Sequence, residues 1–331
     1  MAIPAARGPL SRALVDVLQN GTAAEGLAGV ARSVLEHTAN TLDDDDVQLS
    51  LFLLYELHYG GILGVDERWE WNPSLLAARA LLEDAFEADL RREVPQPHAE
   101  RGVPEALAAL VELDDGPSLS AFIERHATVE QLREVLVNRS IYTLKEADPH
   151  SWAIPRLHRR AKAALVEIQA DEYGGGRPER LHATIFGTCL RELGLSDRYG
   201  AYVDNVRAPV FASMNMMSLF GLHRRLRGAI VGHLAAYEMT SSIPCRAYAN
   251  GFRRLQLSAA ASDYFDEHVE ADAVHEQIAA HDLAGGLAEE EPELVDDILF
   301  GAAACLRIDG RAWGSVLESF EAGETSLRGP L

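Results

Sequence analysis

Almost nowhere does this chain alternate apolar and polar residues with a period of two, and β-branched runs of strand length are nearly missing. Ala, Leu, Glu and Arg recur instead at i, i+3 and i+4, the spacing that gathers apolar side chains on one face of a helix. The fold class this pattern predicts is all-α, with Gly and Pro marking the helix ends. In the first part of the chain, helices are expected at about 9–20, 23–38, 45–60 and 73–92, the last with Asn72 as N-cap and Pro73 in the first helical position. Val94-Pro95-Gln96-Pro97 reads as a break and Asp114-Asp115-Gly116-Pro117 as a second. The domain boundary is placed at the second, giving an N-terminal helical region of residues 1–116 and a larger unit of residues 117–331. There a segment at 118–126 precedes a helix that Thr128 and Gln131 open with a capping-box pattern and that runs to about 147. Further helices are expected at 156–173, from Pro178 to about 193, and near 199–206, 209–239, 244–255, 261–281, 289–302 and 310–321.

Thirty basic residues against fifty-one acidic ones leave a formal charge of −21, which repels phosphate backbones and anionic membranes and argues against nucleic acid as a partner. Cys189, Cys245 and Cys305 are isolated in apolar contexts and read as buried, reduced thiols without a disulfide framework. The first ten residues lack an apolar run of signal-peptide length, and no window approaches the roughly 18 apolar residues that span a bilayer. The expectation is a soluble, cytoplasmic protein.

The stretch 262–276 contains no Gly or Pro and reads as a helix with Ser262 as its N-cap. His268, Asp272 and His275 stand at i, i+4 and i+7, within roughly 60° of one another around a helix. Two imidazoles and a carboxylate on one stripe are half of a site for iron, manganese or zinc; the plainer alternative is a solvated helix face. Glu179 and His182 form Glu-x-x-His, the i, i+3 pair through which di-iron bundles reach one metal from adjacent turns. Glu146 and Glu172 would lie about 39 Å apart on one straight helix, so they share a site only if the chain reverses, and Pro149 and Pro155 allow that. Glu238 sits in an apolar helix and must be paired, protonated, exposed or metal-bound, because a lone buried carboxylate is costly.

The order Glu146, Glu172-x6-Glu179-x2-His182, then His268-x3-Asp272-x2-His275 resembles the haem-oxygenase-like di-iron oxidases, the iron-containing redox enzymes of bacteria, over residues 120–310. The resemblance implies a seven-helix, haem-oxygenase-like bundle that holds two irons and no haem and activates O2 as co-substrate. By resemblance Glu179, His182 and His268 hold one iron, and Glu146, Asp272 and His275 the other. Glu172 matches the extra carboxylate of the N-oxygenating branch, and Glu238 a further helix-borne carboxylate. In that branch an N-terminal helical region serves dimerisation, which makes residues 1–116 a candidate for the same role in a homodimer. The function implied is oxidation of a small metabolite, an amine or amino acid derivative converted by N-oxygenation, with room for an external electron donor. Oxidative C–C cleavage or decarboxylation on the same scaffold is the enzymatic alternative, and a non-catalytic metal-binding helical protein the other. Glu172 also has a plain reading, a helix-end salt bridge to Arg177.

Other conspicuous residues have plainer expected roles. Glu56 and His58 stand i, i+2 and face apart on a helix. Trp69 and Trp71 are expected to pack on the next helix, and Met214, Met216 and Met217 to fill core space. His223 and His233 are expected at the surface or hydrogen-bonded in the core, Asp43–Asp46 as charge at a helix start, and Glu289–Glu291 as a solvated face.

Overall fold

The computed structural model describes residues 1–94, 97 and 102–331, with backbone alone for 270–273. Among the described residues there is no strand. The break expected at Pro95 and Gln96 lies outside them.

Helices α1 (Pro9–Asn20), α2 (Leu27–Leu35), α3 (Asp45–Glu56) and α4 (Pro73–Glu93) come first. Asn72 caps α4, its side chain accepting from the amides of Ser74 and Leu75. The acidic run is charge at two helix starts. Asp44 caps α3, and Asp46 accepts from Leu10 N and Ser11 N at the start of α1. Then follow α5 (Val103–Glu112), α6 (Leu119–Arg125), α7 (Val129–Thr143, with the expected capping box), α8 (Asp148–Ser151), α9 (Arg159–Glu172) and α10 (His182–Glu192). The rest is α11 (Ala208–Leu222), α12 (Arg227–Arg254), α13 (Ala259–Gln277), a π-helical segment (Ile278–Gly285), α14 (Gly286–Glu290) and α15 (Val295–Glu321).

One apolar cluster runs from Leu10 to Leu327, and α11 and α12 cross its middle. The crossing of α12 and α15 depends on two missing side chains. A Cβ on Gly232 would lie 1.8 Å from the Ile298 carbonyl oxygen, and one on Gly301 2.0 Å from that of Ala229. No helix among the described residues is long and apolar enough to cross a membrane.

Several boundaries differ from the sequence expectation. α12 is one 28-residue helix that runs through Pro244, where a break was expected. Proline removes one amide donor there, while Thr240 and Ser241 turn their hydroxyls back onto the carbonyls of Ala236 and Tyr237. The cap of α13 is Ser258, accepting from Ala261 N; Ser262 lies one turn inside. α15 is likewise continuous where two helices were expected. Near 199–206 only a 3-10 turn at Val203–Asn205 forms.

Candidate metal centre

Each carboxylate is delivered by a specific local device. α7 stops at Thr143 and not at 147, and Ala147 takes a left-handed backbone (φ 75°), so Glu146 sits in a turn that faces the interior. The neighbouring Lys145 anchors that turn. Its ammonium pairs with the fully buried Glu56 of α3 and lies 4.1 Å from the Tyr59 ring centroid, while Tyr199 Oη donates to Glu56 at 2.7 Å. Gln169 completes the anchor by donating to the Ala147 carbonyl at 2.7 Å. Glu56 is therefore a support of this turn. It had no assigned role in the sequence, since nothing there shows which cation it meets.

Glu172 is the last residue of α9, and Gly174, Gly175 and Gly176 all adopt positive φ, from 59° to 78°. That backbone is cheap only for glycine, and at Gly174 a Cβ would also stand 2.5 Å from the Arg180 carbonyl carbon. The tight reversal returns the chain so that His182, the first residue of α10, stands beside Glu172. Glu238 comes from the middle of α12, and His268 and His275 from one face of α13.

The resulting atoms fall into two groups with a shared member. Glu146, Glu172, His182 and His268 each offer a ligand atom, all within 4.8 Å of one another, and Glu172, Glu238 and His275 do the same. Glu172 turns Oε2 to His182 Nδ1 at 2.8 Å and Oε1 to His275 Nδ1 at 4.0 Å, one oxygen toward each group. Glu238 Oε2 lies 3.4 Å from His275 Nδ1, and Glu146 Oε1 lies 3.9 Å from His268 Nε2. The His182 and His268 ring centroids are 4.5 Å apart.

The histidines are oriented from behind. His268 Nδ1 is 2.7 Å from the Tyr264 carbonyl, which can only accept, so Nδ1 carries the proton and Nε2 presents a lone pair to the cluster. His275 Nε2 is held by Asp171 Oδ2 at 3.1 Å, leaving Nδ1 toward Glu172 and Glu238. Tyr264 donates to both oxygens of Glu146, at 2.6 and 2.8 Å. Tyr264 and Asp171 carried no signal in the sequence beyond lying next to the motifs.

Two expected ligands need correction or restriction. Glu179 is exposed in the 3-10 turn Pro178–Arg180 and belongs to neither group. The Glu-x-x-His spacing assumed one continuous helix, but Leu181 is extended (φ −54°, ψ 129°) and separates Glu179 from α10. The Asp272 side chain lies outside the described residues. The partition implied by the resemblance also changes: Glu146 groups with His182 and His268, and Glu238 with His275. The plain reading of Glu172 does not hold, because its partner is His182, while Arg177 donates to Gly174 O.

Burial and mutual repulsion set the protonation of the cluster. Burial first, then the Glu172 charge, push the Glu146 carboxyl up to about 8. Burial likewise raises Glu238, with His275 opposing. Burial alone would raise Glu172 as well, but His182 outweighs it and the net shift is down. Burial disfavours charge on His182 and His275, yet Glu172 and Glu238 respectively overcome it and lift each to about 9. Burial holds His268 down at about 4.

A cation resolves what these groups leave unsatisfied. Nδ1 of His182 and of His275 are buried without a hydrogen bond, although carboxylate oxygens stand 2.8 and 3.4 Å away. Close approach without hydrogen-bond geometry is what ligands around a common centre show. Three carboxylates and three imidazoles form a nitrogen–oxygen donor set that suits iron, manganese or zinc. The residues fit a pair of metal ions, with Glu172 able to serve both.

The remaining conspicuous residues are structural. Met214, Met216 and Met217 are buried, His233 pairs with His150 at 3.1 Å, and His223 Nε2 meets Glu83 at 3.0 Å. All three cysteines are buried and none forms a disulfide. Trp69 packs on the core, but Trp71 is 65% exposed, its ring edge-on to His58. Glu291 departs from the expected solvated face by pairing with Arg227.

A family model described as iron-containing redox enzyme matches residues 133–310, more than half of the chain and a span that holds every residue of both groups. The nitrosourea synthase of Streptomyces achromogenes subsp. streptozoticus is 25% identical over 160 residues, which is 47% of this chain and 34% of that protein. The matched stretch thus spans about a third of that relative's length.

Proposed function

Because the chain belongs to the iron-containing redox enzyme family, with its all-α, haem-oxygenase-like fold, we propose that the cluster holds two iron ions and that the protein uses O2 to oxygenate a nitrogen of a small amine or amino acid derivative. The observation that carries this is Glu172, whose two oxygens face the two ligand groups. Iron in those groups supplies the redox chemistry with O2. The protein's own part is to orient and enclose. Asp171 and the Tyr264 carbonyl fix the His275 and His268 rings, and Tyr264 Oη holds Glu146. A cavity of about 260 Å³ opens onto Glu146, Glu172, Glu238 and His268 and receives the substrate.

Turning R–NH2 and O2 into R–NHOH and water consumes two further electrons and two protons, so an external reductant belongs to the proposal. The nitrosourea synthase likeness supports nitrogen as the atom attacked. Residues 1–116 are assigned to self-association and 117–331 to oxidation; light scattering should give a dimer mass, and a monomer would overturn that assignment.

The central test is an anaerobic ferrous titration followed by an O2 pulse in the presence of candidate amines. Two irons per chain, O2 uptake and a product heavier by one oxygen atom are expected. His268→Ala should abolish uptake with the helical signal kept, and His223→Ala should leave it near wild type. Iron bound without O2 uptake across a broad amine panel, or equal loss in both variants, would overturn the proposal.

A further inference from the structure

The two ligand groups do not stand on the same supports. Glu172, Glu238 and His275 come from α9, α12 and α13, each a continuous helix of 14 residues or more. Glu146 comes from the short link between α7 and α8, where no helix fixes its direction. That link is also strained, because Ala147 holds φ 75°, a left-handed backbone that disfavours a residue with a Cβ by roughly tenfold. Contacts from outside the link must keep it in this shape.

Tyr264 and Gln169 hold Glu146 and the Ala147 carbonyl from within the larger unit. The third hold crosses from the N-terminal region, and it alone joins two opposite charges. The Lys145 ammonium stands among the rings of Phe52, Tyr59 and Tyr199, 5.3, 4.1 and 5.5 Å from their centroids, and against the Glu56 carboxylate. Phe52 and Glu56 both lie on α3. Glu56 is fully buried, and among the described residues it is the one carboxylate in an ion pair with Lys145. Tyr199 donates to Glu56 at 2.7 Å, and its segment is itself pinned to the N-terminal region. Arg7, paired with Asp45 of α3 at 3.1 Å, donates to the Val203 carbonyl at 2.6 Å. An ammonium removed from water is costly unless an anion meets it. Without the Glu56 charge the cheapest state of Lys145 is one that reaches solvent, and Glu146, its neighbour in the chain, moves with it. Release of the Ala147 strain favours the same movement.

We propose that Glu56 is a positioning residue for one of the two metal ions, the one at Glu146, Glu172, His182 and His268, and that α3 of the N-terminal region is thereby a built part of the metal centre. Glu56 acts through Lys145 and the strained link, and the ion at Glu172, Glu238 and His275 does not depend on it. This assignment rests on the reading that the cluster holds two metal ions and is indifferent to what they oxidise.

Glu56→Gln keeps the side chain's shape and the oxygen that accepts from Tyr199 while removing the charge. Titrated with ferrous iron under argon, this variant should bind one iron per chain as the wild type does and the other about 10–100-fold more weakly, the range for partners that orient a ligand. Combined with Glu238→Gln, which acts on the other group, it should hold no iron tightly. Adding Ala147→Gly to Glu56→Gln should restore most of the lost affinity, because glycine takes the left-handed backbone without penalty. Leu14→Ala, at a buried position of α1 that is no part of the Lys145 cage, should lower the melting temperature and keep both irons. In the metal-free protein, amide hydrogen exchange across residues 143–148 should quicken by about tenfold in Glu56→Gln, with the α12 amides unchanged. Both irons held as in the wild type, a loss matched by Leu14→Ala, one tightly held iron in the Glu238 double variant, no recovery with Ala147→Gly, or unchanged exchange at 143–148 would overturn the proposal. A wild type that takes up fewer than two irons would refute the metal pair itself, and the exchange measurement would still decide whether Glu56 holds the link.

Discussion

Loading the cluster with ferrous iron at pH 7 is expected to expel about three protons per chain. Glu146, with a carboxyl at about 8, holds most of a proton at that pH, and His182 and His275, each at about 9, hold one apiece. None of these protons survives when oxygen or nitrogen ligates a metal. Glu172, held down by His182, and His268, held at about 4 by burial, contribute none. Iron affinity should therefore rise by about a thousandfold per pH unit near pH 7 and level off above pH 9, since each proton released contributes a factor of ten. Calorimetric titration under argon, repeated in buffers of different ionisation enthalpy, reads the proton count as the slope of heat against buffer enthalpy. Glu172→Gln removes the anion that lifts both His182 and Glu146, so the count should fall by about one to two. It also removes an oxygen from both ligand groups, and affinity should drop by more than the 10–100-fold that outer-sphere changes cost. Release of one proton or none in the wild type, or loading indifferent to pH, would refute this account of the cluster.

Iron per chain should be unchanged in Glu179→Gln, whose side chain is exposed outside both groups, and should fall by about one equivalent in Glu238→Gln; the opposite result would restore the helix-spacing assignment. The metal-free protein should lose thermal stability as pH rises from about 6.5 to 9. Glu146 at about 8 and His182 and His275 at about 9 all bind protons more tightly folded than unfolded, so their contribution is complete at low pH and is lost through those values. His268, depressed to about 4, acts oppositely, and only below its ordinary value of 6.5. Melting curves at several pH values, with and without iron, check this, and a flat metal-free profile would contradict it. Gly232→Ala should destabilise by about 2 kcal/mol or more, because its Cβ would stand 1.8 Å from the Ile298 carbonyl oxygen. Gly29→Ala, a helical position with open space around it, should be neutral or stabilising by about 0.5–1 kcal/mol in the same denaturant titration.

Helix content was legible because amphipathic periodicity is a local property, and N-caps such as Asn72 and Thr128 act within three residues. The same locality made His268 and His275 readable as one face of one helix. Residue chemistry marked Glu146, Glu172, His182 and Glu238 as groups that need a partner, since a buried charge must find one. Which partner each meets was decided elsewhere. Glu146 faces inward because Lys145 is anchored by Glu56, a residue 89 positions away, and Glu172 meets His182 because three glycines take left-handed backbone. The Glu179 spacing failed at a single extended residue, Leu181, that ends the helix the spacing presumed. Helical pattern and ligand type are written along the chain, where each residue acts on its near neighbours. The meeting of two ligand groups around Glu172 depends on how α7, α9, α12 and α13 pack, and packing is set by contacts between residues a hundred positions apart.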